Sequence, residues 1–147
     1  RRHTMPMPEA TDANAPTLQL LGVIDFVACA KHLVDHEGVD PARLTALGES
    51  AGGLLVAAAV NHAPGLFRSV VLKVPFVDVL NTMRDQSLPL TIHEYDEWGN
   101  PCDRPTFYSL FRLDPYVQLG LQPRLDTLPN MLGTQLVVAF ADHSNTR

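Results

Sequence analysis

The chain has 147 residues, of which 46% are hydrophobic and 18% charged, a balance typical of one globular domain rather than of a disordered chain. Sixteen acidic against eleven basic residues give a formal net charge of −5, which argues against the basic surface of a nucleic-acid binder. The longest apolar run, residues 54–60, is too short to span a membrane. No apolar segment follows the basic residues at the N-terminus, so we predict no signal peptide and expect a cytoplasmic protein.

The two cysteines, Cys29 and Cys102, are far apart in the sequence. This spacing forms neither a zinc-binding motif nor a disulfide framework. We predict that both are buried, reduced thiols and that the chain holds no metal.

Helices alternate with short apolar runs along the chain. Residues 1–17 contain three prolines among small polar residues and are predicted to form an irregular, linker-like end, with the folded domain over 18–147. The first helix is predicted to begin near Leu18 and to end at Gly38. Its core-facing stripe is predicted to comprise Leu21, Ile24, Val27 or Ala28, Leu33 and Val34.

The remaining elements predict an α/β fold with a parallel sheet. The predicted strands are residues 43–47, 69–74 and 135–140, and the predicted helices are residues 54–62 and 106–113. Residues 75–99 have weak periodicity and are predicted to be an excursion from the sheet. Because function in parallel sheets gathers at the carboxyl ends of strands, the loops at Ser50 and Asp142 are the candidate sites.

The sequence Gly-Glu-Ser-Ala-Gly at 48–52 matches the Gly-x-Ser-x-Gly nucleophile elbow. In an elbow the serine stands on a strained turn between a strand and a helix, and side chains at Gly48 and Gly52 are expected to collide with neighbouring backbone. The N–H of Ala51 is expected to face a developing oxyanion at the helix N-terminus. The alternative is a phosphate-binding turn with a spectator serine, but neither a following Lys nor a Gly-x-Gly-x-x-Gly spacing is present.

Four blocks carry a resemblance to a known family. They are Gly-Glu-Ser-Ala-Gly-Gly-Leu-Leu at 48–55, Val-Pro-Phe-Val-Asp-Val-Leu-Asn-Thr-Met at 74–83, Leu-Pro-Leu-Thr at 88–91 and Glu-Trp-Gly-Asn-Pro at 97–101. In this order they resemble the catalytic domain of the prolyl oligopeptidase family of serine peptidases. The resemblance is greatest to its oligopeptidase B branch, with the prolyl endopeptidase-like proteins second.

The resemblance implies a partial α/β-hydrolase fold, that is, a fragment of a parallel sheet flanked by helices. It implies hydrolysis of short peptides without a metal or organic cofactor, with Ser50 as nucleophile and the Ala51 N–H as one oxyanion donor. The family's second oxyanion donor is a tyrosine hydroxyl upstream of the elbow, and its β-propeller has no counterpart in these residues. We therefore expect the sequence to be part of a larger enzyme.

The resemblance also implies a preference for Arg or Lys before the scissile bond, at the P1 position. In oligopeptidase B two acidic residues hold that side chain, and they match Glu94 and Asp96 here, with Asp where Glu is usual. Residues two apart in an extended segment point the same way, and paired carboxylates can grip a guanidinium. The alternative for these acidic residues is a solvated surface.

The rest of the triad is less well marked in the sequence. Ser, Asp and His follow in that order in this fold. Without gaps the resemblance places the acid near Ala139, and a small insertion moves it to Asp142, whose alternative is a polar residue at a frayed end. No histidine occupies the family's position, and His143 is too close to Asp142 to serve. Without a base, the chain alone is expected to be nearly inactive.

Two other functions stay open at this point. One is an esterase-like α/β-hydrolase, which two carboxylates in the acyl pocket would disfavour. The other is a relic or fragment without catalytic activity, acting only as an interaction module.

Overall fold

A parallel three-stranded sheet lies at the centre of the structure, a computed structural model that describes residues 18–89, 91–121 and 135–139. Strands β1 (Thr45–Glu49), β2 (Ser69–Lys73) and β3 (Gln135–Ala139) pair in the order β1-β2-β3. Glu49, Lys73 and Ala139 are in register, so the carboxyl ends of all three strands lie at one edge. The predicted parallel sheet is therefore confirmed.

The helices follow the strands in the alternation that the sequence predicts. They are α1 (Leu18–Asp35), α2 (Ala51–His62), α3 (Val79–Thr82), α4 (Tyr95–Trp98), α5 (Arg104–Leu113) and α6 (Pro115–Leu121). The helix predicted at 54–62 begins three residues earlier, directly after Ser50. The excursion at 75–99 contains α3 and α4, and α6 was not predicted. Within the described ranges, no helix is long and apolar enough to cross a bilayer.

Helix α1 packs on α2 through a face that shares Val27 with the predicted stripe but otherwise differs from it. Its buried positions are Val23, Val27 and Ala30, at the helical spacing of four and three residues. Of the predicted stripe, the exposed members are Leu21, Ile24 and Leu33. Since apolar residues occur on most sides of this helix, their spacing alone does not select the buried face.

Both cysteines are exposed, which corrects the prediction that they are buried. Cys29 follows the buried Val27 by two positions, and two positions along a helix rotate a side chain to another face. Cys102 lies in a turn, where its N–H donates to Asn100 Oδ1 at 2.9 Å. The thiols are also free rather than joined in a disulfide.

The sheet turns one face toward the helices. Along β1, Ala46 and Gly48 are buried, while Thr45, Leu47 and Glu49 are exposed on the other face. This alternation follows from the two-residue period of a strand. The core side chains of β2, Val70 and Leu72, belong to the same buried cluster as those of α1 and α2.

A buried carboxylate ties the excursion to the helices that follow it. Asp114 is 0% exposed, and its Oδ2 accepts from the Leu80 N–H at 2.8 Å while its Oδ1 accepts from the Val117 N–H at 2.9 Å. The first bond holds α3 and the second caps α6. Asp114 therefore positions the part of the excursion that begins at α3.

Replacing Asp114 with alanine is expected to lower the free energy of unfolding by about 2 kcal/mol, because two N–H groups lose a charged acceptor. The matched control is Asp103→Ala. Asp103 is exposed and caps α5 by accepting from the Thr106 N–H at 3.3 Å and the Thr106 hydroxyl at 2.9 Å. Its loss is expected to cost about 1 kcal/mol. Chemical denaturation measures both, and equal losses would contradict the special role of Asp114.

Candidate active site

Ser50 stands at the carboxyl end of β1 on the turn that leads into α2, as the elbow motif predicts. Its φ is 53°, a backbone conformation that is uncommon outside glycine. The Ser50 N–H donates to the Lys73 carbonyl at 3.1 Å, and the Ser50 carbonyl accepts from the Gly53 and Phe76 N–H groups at 2.9 Å and 3.1 Å. These bonds hold the strained turn from both sides.

The glycines around Ser50 differ in the space available to them. A Cβ on Gly48 would overlap the Gly52 carbonyl oxygen and lie 2.6 Å from its carbon, so the predicted collision at Gly48 is confirmed. A Cβ on Gly52 would have no described atom within 4 Å outside its own helix, so the predicted collision at Gly52 is wrong. The second close approach is instead at Gly53, whose Cβ would lie 2.7 Å from Pro75 Cβ. In the sequence, only the additional glycine at position 53 indicates this second close approach.

A second strained residue, Val74, follows β2 just as Ser50 follows β1. Its φ is 37°, which is an outlier for a β-branched side chain. Sequence reasoning missed it, since the residue before a proline is expected to be extended. The turn at Val74 brings Pro75 against the Gly53 position and the Phe76 N–H onto the Ser50 carbonyl. The loop after β2 and the elbow therefore support each other.

A cavity of about 840 Å³ lies against Ser50. Its walls come from residues 50–51, from residues 74–76 and from side chains of the excursion between residues 82 and 98. The volume is in the range that ligand sites occupy in proteins. Phe76 and Trp98 form one wall as an edge-to-face pair, with ring centres 5.4 Å apart.

Hydrogen bonds within the excursion fix the opposite wall. The hydroxyl of the buried Thr91 donates to the Thr82 carbonyl at 3.1 Å, and the Tyr95 hydroxyl donates to the Met83 carbonyl at 3.3 Å. Between these residues Asp85 Oδ1 accepts two hydrogen bonds, one from the Ser87 hydroxyl at 2.5 Å and one from the Ser87 N–H at 3.0 Å. The bond from the Ser87 hydroxyl, with help from the N–H, lowers the pKa of the exposed Asp85 carboxyl. These bonds close a local turn between α3 and Thr91.

The acidic residues of the excursion lie on a helical turn, which corrects the expected extended segment. Glu94 precedes α4, and its carbonyl accepts from the Glu97 and Trp98 N–H groups at 3.0 Å and 2.9 Å. Glu94 lines the cavity, as do Glu97 and Trp98, whereas Asp96 is exposed and does not line it. The structure brings Glu94 to Ser50's cavity but does not bring Asp96 there.

The family model described as Peptidase_S9, the prolyl oligopeptidase family, matches residues 17–128. The chain belongs to the prolyl oligopeptidase family. The resemblance in the sequence blocks is therefore confirmed.

Relatives in this family match more than half of the chain. Protease 2 of Moraxella lacunata is 49% identical over 92 residues, which cover 63% of this chain and 13% of that protein. The prolyl endopeptidase-like protein of Homo sapiens is 48% identical over 85 residues, which cover 58% of this chain and 12% of that protein. The chain therefore spans about an eighth of the length of these relatives.

Solved structures agree on the fold. Oligopeptidase B from Trypanosoma brucei, with covalently bound antipain, is 45% identical with a TM-score of 0.64, over 66% of this chain and 14% of that one. Oligopeptidase B from Leishmania major is 30% identical with a TM-score of 0.65, over 79% of this chain and 19% of that one. These likenesses confirm the predicted fold, a partial α/β-hydrolase.

The remaining predicted site residues divide into two groups. Ala51 lines the cavity, and as the first residue of α2 its N–H has no acceptor within the helix. Asp142 lies outside the described residues, although β3, which precedes it, ends at the same sheet edge as Ser50. The family assignment alone does not give Asp142 a role.

The histidines in the described part of the chain do not line the cavity at Ser50. They are His32, His36, His62 and His93, and none of the four lines it. His32, near the end of α1, stacks on His36 with ring centres 4.5 Å apart and lies 3.4 Å from a Glu37 carboxylate oxygen. No group of three His, Cys, Asp or Glu side chains among the described residues could hold a metal ion.

Proposed function

We propose that the protein is a serine oligopeptidase that cleaves short peptides after Arg or Lys through an acyl-enzyme on Ser50. The observation that carries the proposal is the strained Ser50 at a cavity that Glu94 also lines. Membership of the prolyl oligopeptidase family supports peptide-bond hydrolysis as the reaction. Because the chain spans about an eighth of its relatives, the proposal concerns the protein at its full natural length.

The proposed mechanism uses the elbow directly. The Ser50 hydroxyl oxygen attacks the peptide carbonyl while a base takes its proton, and the Ala51 N–H donates to the oxyanion that forms. Collapse of this intermediate expels the amine, which takes the proton from the base, and leaves the acyl group on Ser50. Water then attacks the acyl group by the same route, and the carboxylic-acid product leaves Ser50. We propose Asp142 as the acidic residue of the triad, whose carboxylate orients the base.

Specificity is proposed to come from charge at the cavity wall. Glu94 is half-buried beside the edge-to-face pair of Phe76 and Trp98. A carboxylate in such surroundings is stabilised by a cation, and an Arg or Lys side chain supplies one. The aromatic rings would contact the aliphatic part of that side chain.

An esterase activity is the second candidate, and the apolar share of the cavity wall favours it. Met83 and Leu88 line the cavity along with the aromatic pair. Such a wall also suits an acyl chain. The two functions differ in what they predict for a charged substrate, since an acyl pocket gains nothing from Glu94.

The test compares four substrates of the full-length protein that share one leaving group. Their P1 groups are Arg, Lys, Pro and a simple acyl ester. We expect kcat/KM for Arg and Lys to exceed the others by about 100-fold, because only these substrates pair a charge with Glu94. Glu94→Gln should remove that preference, whereas Glu37→Gln, at an exposed position just after α1, should retain it. A preference for the ester in the wild-type protein would favour the esterase.

A second prediction concerns the 147-residue chain by itself. Since no described histidine lines the cavity, we expect a fluorophosphonate to label Ser50 about 1,000-fold more slowly than it labels the serine of an intact oligopeptidase B. Labelling followed by mass spectrometry measures both rates. Equal rates would show that a base within these residues activates Ser50.

A further inference from the structure

The buried carboxylate of Asp114 uses each of its two oxygens on a different part of the chain. Its Oδ1 accepts from the Val117 N–H at 2.9 Å, a local bond that caps α6. Its Oδ2 accepts at 2.8 Å from the Leu80 N–H, 34 residues earlier in the chain and within α3. An asparagine has nearly the same shape but only one acceptor oxygen, so it cannot make both bonds. Capping a helix does not by itself require a carboxylate, whereas making both bonds does.

The next two residues continue this connection to α2, the helix behind the elbow. The Pro115 carbonyl accepts from Asn61 Nδ2 at 2.9 Å, and Asn61 lies in the last turn of α2. The Tyr116 N–H donates to the Val77 carbonyl at 3.2 Å. Residues 114–116 therefore contact the helix of the elbow on one side and the first part of the excursion on the other.

Hydrogen bonds connect α3 in turn to the cavity wall. Thr82 and Met83 line the cavity. Their carbonyls accept from the Thr91 and Tyr95 hydroxyls at 3.1 Å and 3.3 Å, which ties the later part of the wall to them. The beginning of the excursion is held separately, because the Phe76 N–H donates to the elbow. A displaced α3 would therefore move the wall and leave the elbow in place.

We propose that Asp114 is a positioning residue for peptide hydrolysis, which acts through α3 to hold the cavity wall in place relative to the elbow. The inference rests on the proposed function of the cavity at Ser50. A wall that contacts substrate equally in the ground state and in the transition state contributes to binding rather than to the chemical step. Loss of the bond to Leu80 is therefore expected to raise KM, whereas kcat depends on the elbow, whose own hydrogen bonds do not involve Asp114.

The test is Asp114→Asn in the full-length protein, with a peptide substrate and a fluorophosphonate. The amide oxygen can keep the cap of α6, where asparagine serves as well as aspartate, but the NH2 group would then face the Leu80 N–H. We expect KM for the peptide to rise about 10-fold while kcat stays within about twofold. The rate of labelling at Ser50 should also stay within about twofold, because the small probe does not need the wall.

Asp103→Asn is the matched control, since Asp103 caps α5 as Asp114 caps α6. Its bonds from the Thr106 N–H and from the Thr106 hydroxyl both go to one oxygen, Oδ2, so an asparagine can keep both. Both bonds stay within the first turn of α5, and KM should be unchanged. A general weakening of a capping aspartate would affect both variants alike, whereas loss of the connection to α3 affects only Asp114→Asn.

A second variant weakens the same connection from the side of α2. Asn61→Ala removes the bond to the Pro115 carbonyl and should raise KM about threefold. Combined with Asp114→Asn it should add less than this factor, because both changes act on one segment. Thermal unfolding followed by circular dichroism checks that each variant is folded at the assay temperature.

Each outcome of this experiment has a distinct meaning. A wild-type protein that cleaves no peptide overturns the proposed function, and the inference with it. A wild-type protein that cleaves the peptide, with KM unchanged in Asp114→Asn and in Asn61→Ala, overturns the inference alone. A fall in kcat and in labelling without a rise in KM also overturns it, since Asp114 would then act on the elbow. If Asp114→Asn does not fold, KM of Asn61→Ala decides: a rise supports the inference and an unchanged value overturns it.

Discussion

Replacing Ser50 with alanine is expected to lower kcat/KM for an arginine peptide by about five orders of magnitude in the full-length protein. The hydroxyl is the only atom of the elbow that can form the acyl-enzyme, and the other hydroxyls that line the cavity, those of Thr82 and Thr91, donate to backbone carbonyls. Steady-state hydrolysis measures the loss. Labelling by a fluorophosphonate should disappear in the same variant, since both reactions modify one oxygen.

The control for this change is Ser109→Ala, because Ser109 lies on α5 and does not line the cavity. It should retain full activity. Ser50→Gly separates catalysis from strain: glycine accepts a φ of 53° without penalty, so this variant should be inactive yet more stable by about 1 kcal/mol. Activity that survives in Ser50→Ala would place the nucleophile elsewhere.

The parts of the fold that local sequence determines could be predicted. The apolar run before Gly48 and the Ala-rich run after Ser50 indicate a strand and a helix, and a glycine-flanked serine between them indicates an elbow. The β-branched run at β2 similarly identifies a strand, and alternation with helices makes the sheet parallel. All of these signals come from a few adjacent residues.

Features that depend on packing could not be predicted from the same residues. Helix α1 is apolar on most sides, so its contact with α2 selects Val23 and Ala30 as buried positions beside the predicted Val27. The turn at Val74 opposes the usual preference of a residue before proline, and its hydrogen-bonded surroundings outweigh that preference. The spacing of nearby residues determines neither the buried face of α1 nor the backbone conformation of Val74.

The local sequence also does not determine which acidic side chains line the cavity. Residues 91–98 have no clear period, so an extended reading that pairs Glu94 with Asp96 was open in the sequence. In the structure the Glu94 carbonyl closes a helical turn, and Glu97 takes the place beside it. The sequence blocks identify the segment, but the backbone conformation decides which of its side chains line the cavity with Ser50.

The two glycines of the elbow motif are expected to respond oppositely to alanine. Gly48→Ala should lower the free energy of unfolding by about 3 kcal/mol, because the new Cβ would overlap the Gly52 carbonyl, which is backbone and cannot rotate away. Gly52→Ala should raise it by about 1 kcal/mol, because the site is open and alanine favours the helix. Chemical denaturation of the two variants measures the difference.

This opposition tests what the motif requires physically. A loss of stability in both variants would show that both glycines are needed for steric reasons. If only Gly48 is needed, the second constraint should appear at Gly53→Ala, whose Cβ would lie 2.8 Å from Pro75 Cα. Pro75 also leads into Phe76, whose N–H holds the Ser50 carbonyl. A clash at Gly53 should therefore displace the support of the nucleophile as well, and slow its labelling in the full-length protein.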